Sequence, residues 1–393
     1  MSQAMTDSST VSPVDRATGD RVNLLGLPRA GLEALFAELG EKPFRAVQVM
    51  KWLHHRGAEG FDQMTDLSRV LRARLDEIAC VRLPEVVHEG VSTDGTRKWL
   101  MALDDGQRIE VVFIPEKERG TLCISSQVGC ALDCSFCATG KQGFNRNLTP
   151  AEIVGQVRQA AARLEGVVEG RDRAITNIVL MGMGEPLLNF DAVVAAIDIL
   201  LDDLGYGISK RRLTLSTAGV VPAIRRLAEV TDVALAISLH APDDALRDQL
   251  VPVNRRYPIR ELLDAVQEYL SHLGEWRSVT VEYTLMDGVN DSLKQAEALA
   301  TLLTELKERC KINLIPFNPF PGSGYRRPTA TRVRAFQTCL LERGFATMLR
   351  TTRGEDIDAA CGQLAGKFDD RTRRRERYIA RLKDDGVITH ESV

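Results

Sequence analysis

The chain has 393 residues, of which 27% are charged and 44% hydrophobic, and its formal net charge is -3. That size holds a large core with a smaller unit beside it, and the balance excludes both a disordered chain and a basic protein that coats nucleic acid through a global positive field. No stretch is apolar for long enough to cross a bilayer, no apolar signal core stands near the N-terminus, and the eight cysteines lack paired extracellular spacing; together these predict a reducing cytoplasm in which thiols stay available for metal and catalysis.

Residues 1–20 are rich in Ser, Thr and Asp with few apolar groups to bury, which predicts a disordered tail. Residues 21–80 read as a small helical domain. Leu32, Leu35, Phe36 and Leu39 recur on one face, followed by Phe44, Val47, Val49, Met50 and Leu53, then by Leu67, Val70, Leu71 and Leu75. Its polar faces carry Lys42, Arg45, Lys51, His54, His55 and Arg56, then Arg69, Arg72 and Arg74, which either face solvent or meet phosphates. Residues 81–117 hold three extended runs, Glu85 to Glu89, Arg97 to Ala102 and Arg108 to Ile114, broken by Asp94-Gly95 and Asp104-Asp105-Gly106, and predict hairpins leading into the next domain. In the last run Arg108, Glu110 and Val112 share one face, where Glu110 reads as an ordinary outward polar residue.

From residue 118 to about 350 strands alternate with amphipathic helices. The predicted strands are Leu122 to Ser126, Asn177 to Met181, Arg212 to Ser216, Val233 to Ser238, Val279 to Leu285 and Ile312 to Ile315. The helices are Pro150 to Leu164, Asp191 to Leu204, Val221 to Val230, Ile259 to Leu273, Ser292 to Arg309 and Thr331 to Arg343. Such a right-handed series predicts an α/β fold, a partial (β/α)6 barrel with its ligands at the carboxyl ends of the strands. Residues 351–393 form a C-terminal loop carrying Cys361 and a basic tail, Arg371 to Lys383, which either tracks phosphates or faces solvent.

The densest chemistry lies between Thr121 and Gly140, where Cys130, Cys134 and Cys137 are spaced C-x3-C-x2-C. Structural zinc sites usually take four ligands from two separated C-x2-C knuckles, and no such separated pair is present here. Three thiolates suit a four-iron cube instead, in which a missing fourth cysteine leaves one iron open to a small molecule. Phe136 stands where it would shield such a cluster from water. A structural cluster in an RNA-binding or electron-transfer protein is the alternative, and it would call for a fourth cysteine ligand.

With its aromatic before the last cysteine, this loop resembles the radical S-adenosylmethionine superfamily, and the longer string CISSQVGCALDCSFCATGKQGFNRNLT resembles that superfamily's RNA adenine methyltransferases. The resemblance runs from about Arg108 to Ala365, with the helical domain matched more loosely to an RNA-binding accessory domain. It implies a [4Fe-4S] cluster on Cys130, Cys134 and Cys137, and two molecules of S-adenosylmethionine per turnover. MGMGEP supplies Gly184 and Glu185 to hold the cofactor's ammonium; LSTAG supplies Ser216, ISLHAP supplies Ser238, Leu239 and His240, and IPFNPFPG supplies Asn318. TTRGEDIDAACGQLAG makes Cys361 the cysteine that carries the transferred carbon as S-methylcysteine. RIEVVFIP makes Glu110 the proton acceptor, and Cys123 is the resolving thiol that forms a transient disulfide with Cys361.

The activity so implied is methylation of carbon 2 of an adenosine in the peptidyl-transferase region of 23S rRNA and of the adenosine following the anticodon in tRNA. An external electron donor, no membrane and a monomeric chain are expected. A sister enzyme that methylates carbon 8 of the same ribosomal adenosine shares the cluster, both cysteines and the cofactor motifs. Lys210-Arg211-Arg212, Arg255-Arg256 and Arg326-Arg327 are further candidates for RNA contact. Cys80, Cys310 and Cys339 match nothing and read as packing.

Overall fold

The structure, a computed structural model, describes residues 21–165, 173–366, 370–374 and 376–377; the tail at 1–20 and much of the basic run from Arg371 to Lys383 lie outside the described residues. Near the N-terminus β1 (Val22–Asn23) pairs in parallel with β2 (Ala79–Cys80), closing a helical unit between them. Its helices are α1 (Arg29–Glu38), α2 (Phe44–Met50), which runs on into a π-helical turn over Lys51–His55, and α3 (Arg69–Ile78). Ser68 starts α3 by accepting the N–H of Leu71 at 3.2 Å.

Leu32, Phe36, Val49, Met50, Leu71 and Leu75 close a core separate from that of the barrel. Phe44 and Val70, expected in that core, are instead 49% and 79% exposed. Phe44 opens its helix at the surface, and Val70 is turned by about 100° from Leu71 on a helix of 3.6 residues per turn. The unit is fastened to the barrel by buried Arg158, which donates to the carbonyls of Gly57 and Ala58 at 2.6 and 3.0 Å, and by the Arg29–Asp202 ion pair at 2.5 Å.

The extension is an antiparallel meander of β3 (Glu85–Val91), β4 (Arg97–Ala102) and β5 (Arg108–Pro115). Its hairpins lead straight into the barrel sheet, because β5 pairs antiparallel with β6 (Gly120–Cys123), the first barrel strand. That strand stops at Cys123, short of Ser126, where the backbone of Ser125 turns to the side chain of Gln156 instead of to a neighbouring strand. A small clasp follows, β7 (Gln127–Gly129) against β8 (Phe144–Asn147), with the short α4 (Ala138–Gln142) inside it.

Beyond the clasp come α5 (Pro150–Leu164), β9 (Asn177–Leu180), α6 (Phe190–Leu201), β10 (Leu213–Thr217), α7 (Val221–Val230) and β11 (Ala234–Ser238). After them run α8 (Asp244–Leu250), α9 (Ile259–His272), β12 (Val279–Leu285), α10 (Leu293–Leu302), β13 (Cys310–Pro316), α11 (Ala330–Glu342) and β14 (Ala346–Leu349). Reciprocal capping boxes start α5 at Thr149 and Glu152 and α10 at Ser292 and Gln295. The α4, α8 and β14 elements and the clasp were not predicted, and the helix expected to reach Arg309 ends at Leu302 before a separate 3-10 segment, Thr304–Arg309.

All the long strands belong to one ten-stranded sheet, in the order β14-β13-β12-β11-β10-β9-β6-β5-β4-β3, parallel from β6 to β14. With helices between successive parallel strands this is the expected incomplete barrel. Its two edges are joined by the segment after β14, which reaches across to the extension: the Gly354 N–H donates to Asp94 Oδ2 at 3.1 Å, and Asp356 Oδ1 accepts from Ser92 Oγ at 2.5 Å. Cys361 rides on this bridge.

Candidate active site

The clasp brackets the cysteine loop: Gly129 pairs with Phe144, and the Cys130 N–H donates to the Gly143 carbonyl at 2.7 Å. Cys130, Cys134 and Cys137 are free thiols that line one cavity. Burial, reinforced by Cys137, pushes the Cys130 thiol up to about 12. Burial and then its two neighbours drive Cys134 well above the thiol range, and burial also raises Cys137. Three half-buried sulfurs, all raised by burial and two of them, Cys130 and Cys134, raised further by their neighbours, are a donor set suited to a shared positive centre. Among the described residues no three such side chains close around a single ion, as is natural when each thiolate serves a different corner of a cube. The residues therefore fit a cluster. The ring of Phe136 meets His240 edge-on at 4.6 Å and closes the loop's apolar side.

Gly184, Glu185, Ser216, Ser238 and His240 line the same cavity as the three thiols. Gly184 sits at φ +102, and a Cβ there would stand 2.5 Å from Gln127 Cβ, so only glycine passes the clasp this closely. Glu185, 3% exposed, accepts the N–H of Leu187 at 3.0 Å and of Ala218 at 2.8 Å. Burial holds its carboxyl above the usual range while these N–H groups oppose the rise. A buried carboxylate on a cavity wall fits an ammonium guest. His240 has φ +60, and its Nδ1 accepts the Thr284 N–H at 3.0 Å. Burial, then Arg247, depresses its pKa to about 3, so the ring is neutral with its proton on Nε2.

Two of the expected cofactor contacts, Leu239 and Asn318, are not in the lining of that cavity. The Leu239 side chain is fully buried in the barrel core and leaves only its backbone at the rim. Asn318 lines a second cavity, where its amide bonds Cys361, Arg327 and Thr352. That second cavity also holds Cys123 and Cys361, and the two cavities meet at Cys137, Met181, Gly182, Arg350 and Cys361. Cys361 thus faces the cluster loop on one side and Cys123 on the other. Both are free thiols, and the disulfide implied between them is not formed. Burial, then Cys361, pushes the Cys123 thiol up to about 12.

Glu110 is not an outward residue: it is 7% exposed, because the Cys361 segment covers its face of β5. Its Oε2 accepts the Ala365 N–H at 2.8 Å, and its Oε1 lies 3.3 Å from Lys98 Nζ.

Several residues of this site have no motif to announce them. Arg247 is fully buried and donates to the carbonyls of Ala218, Ser238 and Leu239, which draws the ends of β10 and β11 together. Arg350 borders both cavities; Cys361 is the strongest influence holding its guanidinium above the usual range, and Glu282 and Cys123 add to it. Gln127 Oε1 accepts the N–H groups of Glu185 and Ala131 and so ties the glycine turn to the cysteine loop. An amphipathic pattern locates a buried face but not a buried arginine or glutamine, whose partners are backbone atoms far along the chain.

The basic candidates divide. His54 packs against Tyr206 with ring centroids 5.6 Å apart, and burial lowers its pKa to about 4, so it is a neutral packed ring. Arg72 and Arg74 donate to the carbonyls of Asp62 and Leu39 and hold turns of their own unit. Lys42, Lys51, Arg56 and Arg69 are exposed, with Arg56 stacked 4.2 Å over Trp52. Lys210, Arg211 and Arg212 precede β10 and therefore lie at the rim opposite the site. Arg374 donates to the carbonyls of Cys130 and Ala131 at 2.7 and 3.2 Å, supporting the cysteine loop from the C-terminal segment.

An incomplete parallel barrel with three cysteines on the loop after its first strand, and a glycine-glutamate turn after the next, defines a radical S-adenosylmethionine enzyme. Residues 124–300 match the Radical SAM superfamily, and residues 22–81 match the Ribosomal RNA large subunit methyltransferase N-terminal domain. The chain is 61% identical over 361 residues to the Dual-specificity RNA methyltransferase RlmN of Marinobacter nauticus, covering 92% of this chain and 97% of that protein. It is 59% identical over 360 residues to the protein of the same name from Pseudomonas fluorescens, covering 92% and 94%. A crystal structure of a radical SAM methyltransferase from Sphaerobacter thermophilus superposes with a TM-score of 0.80 at 46% identity, covering 87% of this chain and 99% of that one. The chain belongs to the RlmN family of radical S-adenosylmethionine methyltransferases, enzymes that use a [4Fe-4S] cluster and S-adenosylmethionine.

Proposed function

We propose that this chain methylates carbon 2 of adenosine in 23S rRNA, in the peptidyl-transferase region, and in tRNA, at the adenosine 3′ of the anticodon, with Cys361 carrying the carbon. The observation that supports it most is the place of Cys361 where two cavities meet, with the cluster thiols bordering one and Cys123 the other. When bound, the cluster and S-adenosylmethionine supply a methyl group for a thiolate and, after one-electron reductive cleavage, a 5′-deoxyadenosyl radical. An adenine C2–H is neither a nucleophile nor readily deprotonated, so a polar transfer would stall where a radical does not.

In this reading Cys130, Cys134 and Cys137 hold the cluster, and Gly184 and Glu185 hold the cofactor's ammonium with Ser216, Ser238 and His240 around it. The Cys361 thiolate takes the methyl group by displacement. After the carbon is joined to adenine, the C2–H bond and the Cys361 S–C bond break and an S–S bond to Cys123 forms. The C2 proton goes to Glu110, the proton of the Cys123 thiol completes the methyl group as that sulfur enters the disulfide, one electron is released, which a bound cluster would take up, and an external donor later reduces the disulfide. Residues 21–80 act as the RNA-binding accessory domain, through exposed Lys42, Lys51, Arg56 and Arg69.

The test is anaerobic reconstitution with iron, sulfide, S-adenosylmethionine, reductant and unmodified 23S rRNA fragment or tRNA. Mass spectrometry of the digested RNA is expected to find 2-methyladenosine alongside 5′-deoxyadenosine. Formation of 8-methyladenosine would place the chain with the sister reaction, and absence of 5′-deoxyadenosine would overturn the radical reading.

A further inference from the structure

Lys98, on the extension and outside every motif above, stands in one row across the sheet with the reacting groups. It lies opposite Val112 in β5, and Val112 lies opposite Cys123 in β6. Glu110 is two residues from Val112 and so shares its face, as a diagonal cross-strand neighbour of Lys98. Val112 borders the cavity of Cys123 and Cys361.

The two charged side chains hold the Cys361 segment on both sides of its thiol. Lys98 Nζ donates to the Asp358 carbonyl at 3.2 Å, and Glu110 Oε2 accepts the Ala365 N–H at 2.8 Å. Between them Lys98 Nζ and Glu110 Oε1 are 3.3 Å apart, with side chains 16% and 10% exposed. At that burial, losing one partner leaves the other as an uncompensated charge, unlike in a surface pair.

In this arrangement both Glu110 oxygens are engaged, and the described lining of the Cys361 cavity does not include Glu110. Each carboxylate oxygen keeps a second lone pair for a proton from substrate, so what the two contacts fix is the direction in which Glu110 points.

We propose that Lys98 is a positioning residue for proton removal: through their 3.3 Å contact it keeps the Glu110 carboxylate aimed from the face of β5 that Glu110 shares with Val112, opposite Cys123. This rests on the reading of Glu110 as the proton acceptor and of Cys361 as the methyl carrier. Lys98 acts through Glu110 after the carbon has been joined to adenine, so the earlier steps do not depend on it.

The experiment uses the full-length reconstituted enzyme and its RNA with Lys98→Met and Lys98→Arg. Three quantities are read: methyl on Cys361 by peptide mass spectrometry, 5′-deoxyadenosine formed, and the ratio of released methylated RNA to covalent protein–RNA adduct. Lys98→Met is expected to keep the first two within about twofold while the ratio falls about tenfold or more, the scale of a weakened general base. Lys98→Arg is expected to restore most of the ratio. An unchanged ratio in Lys98→Met overturns the proposal, and so does a parallel loss of all three quantities in both variants, which marks Lys98 as support for the fold. Absence of 5′-deoxyadenosine and of methyl on Cys361 in the unsubstituted protein would instead remove the underlying function, and this proposal with it.

Discussion

The Asn318 side-chain amide donates to the Cys361 carbonyl oxygen at 3.2 Å. A residue expected at the cofactor thereby anchors the segment that bears Cys361, and its Oδ1 is in turn held by Arg327 Nη2 at 2.7 Å. Asn318→Ala is expected to speed hydrogen exchange across residues 354–366 and slow methylation of Cys361 about tenfold, a scale set by the geometric demand of the displacement. The cluster's absorption should be unaffected. Asn318→Asp, which still accepts from Arg327 but has no donor for Cys361, should resemble the alanine variant. Unaltered exchange in both would refute the anchoring role.

For the two cysteines that share the second cavity, opposite failures are expected. Cys361→Ala should yield no methylated RNA while binding iron normally, since no thiolate remains to receive the carbon. Cys123→Ala should form a protein–RNA adduct that a denaturing gel resolves. Methylated RNA at ordinary yield from either variant would contradict its assigned role.

Arg247 is wholly buried and donates to three strand-end carbonyls and to Asn254 Oδ1. Arg247→Met removes every donor and leaves buried acceptors unpaired, each worth about 1–3 kcal/mol. A loss of at least about 3 kcal/mol is expected from urea unfolding. Arg247→Lys should not restore it, because a point charge cannot span the fork of partners. A change below about 1 kcal/mol would show that water replaces the guanidinium.

Two imidazoles, His54 and His240, have folded-state values near 4 and 3, below their ordinary 6.5, chiefly through burial. Protonation therefore favours the unfolded chain. The stability they contribute is complete above pH 6.5 and is lost as the pH falls toward 4 and 3. Each adds a slope on the order of 1.4 kcal/mol per pH unit within that window. Unfolding is measured between pH 7 and 5 for the chain and its His54→Leu variant side by side, so that the carboxyls of Glu185, Asp198 and Glu282, raised by burial, contribute to both alike. His54→Leu should flatten the slope by one histidine's share, on the order of 1.4 kcal/mol per pH unit. A slope unchanged by that substitution would mean His54 titrates normally.

Much of the barrel was legible because its signals are local. Helices α5 and α7 begin and end where the periodicity places them, and β12 spans its predicted residues, since caps, prolines and alternation act within a few residues. Short pieces were lost: the clasp and β14 have strands of 3 or 4 residues, too few for a period to show. Glu110 reads as a surface residue from its own strand because what buries it, the segment ending at Ala365, comes 255 positions later.

By itself the sequence pointed to an iron-sulfur cluster, since three thiols in one short loop suit a four-iron cube, and its resemblance to a known superfamily gave the glycine-glutamate turn after the next strand its meaning. Only the tertiary structure decided which groups surround Cys361. Sheet pairing puts Lys98, Val112 and Cys123 in one row, and the segment that closes the open barrel then lays Cys361 across them. Such neighbours are set by strand order and chain crossing, and no local pattern encodes contacts between residues hundreds of positions apart.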